Sequence, residues 1–201
     1  MRAAALGIRV HSGWGALVAV AGGRDGAELI HRQRLLVVDS KMPGAVQPYH
    51  WAEKMKLPEA ERHLKNCAAV ADRLAAAGLA DVARTLEKRG FHLVGSAILL
   101  ASARPLPSLA NILSSHAMIH TAEGEFFRAI FRRAFESAGI PVHGFREREL
   151  DRRASEALGR EAYALRQEVQ QLGKSLGPPW TQDQKRATLA AWIVLAGGKA
   201  D

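Results

Sequence analysis

The chain has 201 residues, 48% hydrophobic and 24% charged, which is enough for one sizeable core and short for two. Twenty-eight Lys and Arg against twenty Asp and Glu leave a formal charge of +8, favouring anionic partners such as nucleic acid or a phosphate-bearing ligand. No stretch approaches about 18 uninterrupted apolar residues, so no membrane-spanning helix is expected. The single cysteine, Cys67, excludes an internal disulfide and points to a reducing, cytoplasmic setting.

The apolar start superficially resembles a secretory leader, but Arg9, His11, Ser12, Gly13 and Gly15 break any membrane-compatible core, so folded strands are expected there. Residues 6–10, 16–21 and 27–38 are rich in β-branched or aliphatic side chains, and are separated by Ser12-Gly13 and by the glycine-rich residues 22–26. Short turns of this kind join antiparallel neighbours. The third run has a polar middle (His31, Arg32, Gln33, Arg34), which suits a sheet edge.

Residues 43–58 read as irregular, with Tyr49, His50 and Trp51 as an aromatic patch. Leu64, Cys67, Ala71, Leu74 and Ala75 then keep helical spacing as far as Gly78, a natural stop, and a second helix is expected over 80–89. Residues 91–101 are a nearly continuous apolar run, as in a strand covered on both faces. A basic, proline-bearing loop at 102–107 and a short helix within 109–119 follow. From Thr121, the expected cap of a new helix, Phe127, Ile130, Phe131, Ala134 and Ala138 share one face, and Gly139 ends it. Residues 140–145 form a short strand, and 150–172 are expected to be one long polar helix. Its weak stripe is Ala154, Ala157, Tyr163, Leu165 and Val169. The last helix opens with a capping box, Thr181 at the N-cap and Gln184 at the third helical position. The expected organisation is one domain over 1–201 with a helical insertion at about 43–90.

Three antiparallel strands, then helix, strand, helix, strand, helix, is the order of the ribonuclease H-like fold. That is an α/β fold with a mixed five-stranded sheet (three antiparallel strands plus two parallel) flanked by helices. At the residue level the chain resembles RuvC-type Holliday-junction resolvases in two places. Ala5-Leu6-Gly7-Ile8-Arg9-Val10-His11-Ser12-Gly13 is similar to their first strand and glycine turn, and Asp183-Gln184-Lys185-Arg186-Ala187, followed by Ala190-Ala191-Trp192, to their carboxylate-bearing last helix. The resemblance implies two divalent metals held by carboxylates from the first strand, the end of the fourth strand and the last helix, each metal serving a different reacting oxygen of a phosphodiester. In this chain Arg9 stands in the first-strand place, and the fourth strand ends Leu100-Ala101-Ser102-Ala103-Arg104 without a carboxylate. Only Asp183 matches. A guanidinium there repels Mg²⁺ and pairs with the acid, so standard two-metal nuclease chemistry is not expected. Actin-like ATPase lobes share the strand order, but they need two lobes and an aspartate where Arg9 stands.

His116, His120 and Glu123 are spaced i, i+4 and i+7; on one continuous helix they would fall within about 60° and could hold Zn²⁺ or Mn²⁺. A cap at Thr121 would break that alignment. Glu123 lies on the apolar face of its helix, where a carboxylate needs a partner, with Arg9, Arg104, His116 and His120 as candidates. Asp183 sits in the first turn of its helix, where the dipole alone could account for it. Three readings stay open. In the first, the fold has lost its nuclease carboxylates and keeps an anion-attracting cleft of Arg9, His11, Ser12, Arg104 and His116 that binds nucleic acid or phosphate groups. In the second, a metal-dependent phosphodiesterase or nuclease uses Glu123 and Asp183 as catalytic carboxylates and His116, His120 and Glu123 as ligands of a divalent metal. In the third, the chain is a non-catalytic interaction module, using residues 49–55 as a contact strip and the 150–172 helix for homo-oligomerisation.

Overall fold

Alternation along the first strand sets up the two faces of the sheet. Ala4, Leu6 and Ile8 point to one side, Ala5, Gly7 and Arg9 to the other, and both sides are covered by helices. The computed structural model describes residues 1–101 and 105–198. In chain order the elements are β1 (Arg2–His11), β2 (Trp14–Gly23), β3 (Gly26–Leu36), α1 (Pro48–Ala52), α2 (Leu57–Lys88), β4 (Phe91–Leu100), α3 (Leu109–Leu113), α4 (His116–Ser137), β5 (Val142–Arg146), α5 (Leu150–Leu158), α6 (Ala162–Leu172) and α7 (Gln182–Leu195). The sheet order is β3-β2-β1-β4-β5. β1 to β3 are antiparallel neighbours, while β4 runs parallel to β1 and β5 parallel to β4. This is the mixed five-stranded sheet expected from the sequence, with β3 at an edge.

On the even face of β1, Leu6 and Ile8 pack with Ala75, Leu79 and Val82 of α2 and with Phe127, Ile130 and Phe131 of α4. On the odd face, Ala5 and Leu99 pack with Leu150 and Ala154 of α5, Leu165 of α6 and Trp192 and Ile193 of α7. Trp192 is fully buried, and its indole N–H donates to the Gly23 carbonyl at 2.8 Å. Cys67 faces the interior, where burial pushes its thiol up to about 11. Among the described residues no helix is long and apolar enough to cross a membrane.

Three helix boundaries depart from the sequence expectation, each for a local reason. Gly78 does not stop a helix: it is not among the glycines of positive φ, α2 runs unbroken through it for 32 residues, and a Cβ there would lie 2.2 Å from Leu35 Cδ1. The glycine serves close approach to the sheet edge. The expected 150–172 helix is two, because Gly159 adopts the left-handed conformation (φ +67°) that ends α5. Of the expected stripe, Ala154, Leu165 and Val169 are buried in the core that α5 and α6 share with α7, whereas Tyr163 is exposed. Thr121 does not cap a helix either, since α4 begins at His116 and the Thr121 hydroxyl donates back to the Ala117 carbonyl at 3.1 Å. The capping box of α7 is formed as the spacing predicts, with both the Thr181 and Gln184 contacts made.

Gly7 fixes how closely α7 approaches the sheet. A Cβ at this position would lie 2.0 Å from the Ala187 carbonyl oxygen, a backbone atom that cannot step aside. Gly7→Ala therefore lowers stability by about 3 kcal/mol, read as a shifted urea midpoint; an unchanged midpoint would mean that the helix does not rest on this glycine.

Candidate functional site

The contact at Gly7 carries directly to the site. Two residues along β1 advance about 6.7 Å and four residues of helix about 6 Å, so a strand and helix that touch at Gly7 and Ala187 also bring Arg9 beside Asp183. The Arg9 Nη1 donates to Asp183 Oδ1. The other side of the guanidinium grips Glu147, with Nε to Oε1 at 2.9 Å and Nη2 to Oε2 at 3.3 Å. Glu147 opens the single helical turn Glu147–Glu149 just beyond β5. Phe145 of β5 is buried on the α7 side of the sheet, and Glu147, two residues on, reaches Arg9 on that same side. Arg186, one residue before Ala187 on α7, donates to the Glu147 carbonyl at 2.8 Å and its Nε lies 3.5 Å from Glu147 Oε2. His11 completes the cluster, its Nε2 2.9 Å from Asp183 Oδ2. The cluster occupies the carboxyl ends of β1 and β5, the edge at which open α/β sheets bind ligands.

Its charges are balanced from within: Arg9 and Arg186 against Glu147 and Asp183. Burial works against the Arg9 charge, but the hydrogen bonds and attraction to Glu147 and Asp183 outweigh it and hold the guanidinium above its ordinary pKa. A ladder leads outward from the cluster. The His11 ring stacks on Trp14 at 4.3 Å, and the Arg34 guanidinium lies 4.1 Å over the Trp14 ring. Two hard divalent cations do not fit here. They need converging anionic oxygens, and both carboxylates are already taken up by a guanidinium set between them.

A second cluster lies at the start of α4. The continuous helix places His116, His120 and Glu123 on one side, and α1 adds His50. The Glu123 side chain is 4% exposed. Its Oε2 accepts from His50 Nδ1 at 2.8 Å and from the His50 backbone N–H at 3.3 Å. Burial pushes the Glu123 carboxyl above its ordinary pKa, and the bonds from His50 only partly offset this. The Nε2 atoms of His116 and His120 are 3.1 Å apart. Among the described residues, the group whose ligating atoms lie within 4.8 Å of one another is His50, His116 and His120. Tyr49 packs edge-on against Phe126, while Trp51 stays 52% exposed.

The structure thus sorts the sequence candidates into two centres. Arg9, His11 and Asp183 come together, and Ser12 occupies the adjoining β1–β2 turn. His116 and His120 come together with His50, through which Glu123 is attached. Glu123 is bonded to His50 rather than to Arg9, and Asp183 to Arg9 and His11, so the proposed catalytic pair of Glu123 and Asp183 is divided between the centres. Arg104 lies outside the described residues. Glu147 was not singled out from the sequence, while Arg186 was read only as part of the last-helix motif and His50 only as part of an aromatic patch. Period-two counting from the buried Phe145 could have found Glu147; no local signal marks His50.

No family model matches the chain, and no curated protein matches it. Solved structures do. RuvC of T. thermophilus in complex with a Holliday junction substrate aligns with a TM-score of 0.54 over 96% of this chain and 92% of that one, at 12% identity. A second Thermus thermophilus RuvC structure gives 0.50 over 94% and 92%, at 14% identity. The fold is ribonuclease H-like, of the RuvC type. At such identities the RuvC-type likeness concerns the chain path, and the chemistry of this site rests on its own residues.

The side chains of Arg9, Glu147 and Asp183 are 31%, 30% and 21% exposed, between the regimes of surface and buried ion pairs. Arg9→Met should cost about 1–3 kcal/mol in denaturant titration, and adding Asp183→Asn should recover part of it by removing one of the stranded charges. Strictly additive losses would show that the two residues are not coupled.

Proposed function

We propose that the chain is a ribonuclease H-like domain that binds nucleic acid or a related phosphate-bearing ligand and does not run two-metal phosphodiester hydrolysis. The observation that carries this reading is the Arg9 guanidinium bridging Glu147 and Asp183 at the carboxyl edge of the sheet, where the resemblance implies metal-binding carboxylates. A fixed cation there removes the need for Mg²⁺ and leaves no free carboxylate to hold it. The net charge of +8 supports an anionic partner. So does the similar RuvC structure, which is a complex with a Holliday junction substrate.

Because the Arg9 donors are directed at carboxylates, phosphate contacts fall to the rim. Arg34 is exposed at the outer end of the Trp14 ladder, Arg148 is exposed beyond β5, and His11 and Ser12 border the β1–β2 turn. These groups hold a backbone in place without reading bases, so binding follows shape and charge more than sequence. The lone buried thiol fits a reducing, cytoplasmic setting.

Fluorescence anisotropy with a labelled four-way junction and a duplex of equal length tests this. Affinity should fall steeply with salt, Arg34→Ala with Arg148→Ala should flatten the log–log slope by about 2, and no strand should be cut in Mg²⁺ or Mn²⁺. Absence of binding at low salt, or Mg²⁺-dependent cleavage that Asp183→Asn abolishes, would overturn the proposal.

A further inference from the structure

The histidine cluster at the start of α4 has features that a nucleic-acid surface does not require. His50 comes from α1, 66 residues before His116, and His116 and His120 are one helical turn apart. The three rings are inclined to one another by 66° to 82°, with centroids 4.6 to 5.6 Å apart. That is a tripod rather than a stack: the rings converge by their edges, as imidazoles do when their nitrogens share one point. Their ligating atoms lie within 4.8 Å of one another, with the His116 and His120 Nε2 atoms 3.1 Å apart. Tetrahedral Zn²⁺ with Zn–N bonds of about 2.0–2.1 Å requires nitrogens about 3.3 Å apart, so the wider spacings in the set close by up to about 1.5 Å, within reach of side-chain rotation.

Glu123 supplies the second, independent observation. Its buried carboxylate accepts the Nδ1 proton of His50, which fixes the tautomer and leaves His50 Nε2 with its lone pair as the ligating atom. A carboxylate behind a histidine is the usual outer support of a ligating imidazole, and it restrains the ring's orientation as well as its protonation. The arrangement also gives the buried charge of Glu123 a purpose, since an imidazole bound to a cation offsets an anion that a neutral imidazole offsets poorly. On the outer side His116 and His120 are exposed, so a fourth position opens to water. Three imidazoles with one open position suit Zn²⁺ and other borderline cations, not Mg²⁺ or Ca²⁺.

We propose that His50, His116 and His120 form a binding site for a divalent transition metal, Zn²⁺ in the first place, with Glu123 as the outer carboxylate that orients His50. The set differs from the one the sequence spacing suggested: Glu123 acts through His50 and is not a ligand, and His50 takes its place. Bound metal ties the five-residue α1 to α4. α1 has no side-chain N-cap, so a metal held through His50, its middle residue, adds a tether that the helix lacks. The site is independent of the Arg9 cluster and of the nucleic-acid reading.

The test uses the full untagged chain, stripped with a chelator and titrated with Zn²⁺ against a chromogenic competitor. One Zn²⁺ per chain is expected. Glu123→Gln should weaken it about 10–100-fold, and His50→Ala should weaken it further. Co²⁺ in place of Zn²⁺ should give the intense visible bands of a four-coordinate site, and these should vanish in His120→Ala, an exposed position whose replacement leaves the core intact. The Co²⁺ measurement on the wild type decides the matter even where a Glu123 variant fails to fold. A wild-type affinity no greater than that of His50→Ala would mean that only the helical pair His116 and His120 holds metal, and it would overturn the proposal. Absence of four-coordinate Co²⁺ bands would do the same.

Discussion

One guanidinium, that of Arg9, links the central strand, the end of β5 and the last helix. It faces Glu147 with a two-pronged contact and Asp183 with its remaining amino group, so three elements far apart in sequence meet at one planar ion. Arg9 lies on the α7 side of the sheet, two residues beyond a glycine that exists to let α7 approach. The geometry is therefore over-determined: backbone contact at Gly7 fixes the distance, and the ion pairs fix the direction. Ion pairs of this partial burial add modest stability. Their larger effect is to set which groups occupy the edge of the sheet, because a stranded carboxylate or guanidinium there is costly.

Two centres with opposite character result. At the Arg9 cluster acids and bases satisfy one another, which leaves little affinity for an added cation. At the histidine cluster a buried carboxylate is matched by the His50 imidazole and backbone N–H and by no guanidinium, and ligating nitrogens of three imidazoles gather beside it. Asp183 belongs to the first and Glu123 to the second. A fold whose resemblance implies carboxylates gathered at one place instead has its acids in separate networks, each with its own cationic or neutral counterpart.

Much of the fold was legible in the sequence because its signals are local. The strand runs, the Ser12-Gly13 turn, the apolar run that became β4 and the α7 capping box each lie within a dozen residues. Glycine was the weak point. Gly78 reads as a stop and is a contact with Leu35, whereas Gly159 went unremarked and is a true left-handed terminator. Of the sites, Arg9 and Asp183 were readable from the motifs, and the pairing of a guanidinium with the surviving acid follows from charge. Glu147 was hidden among the arginines of residues 146–153, and His50 within an aromatic patch. What makes each matter is a partner more than 60 residues away, which neither periodicity nor composition can report.

The central claim is that Arg9 holds the place of a cation. Calorimetric titration with Mg²⁺, which imidazoles bind poorly, tests it on the wild type, on Arg9→Asp, and on Arg9→Asp combined with Asp183→Asn. The account predicts no Mg²⁺ binding by the wild type, binding once Arg9→Asp turns the cluster into three converging carboxylates, and loss of that binding when Asp183 is also replaced. Mg²⁺ binding by the wild type that disappears on Asp183→Asn alone would contradict it.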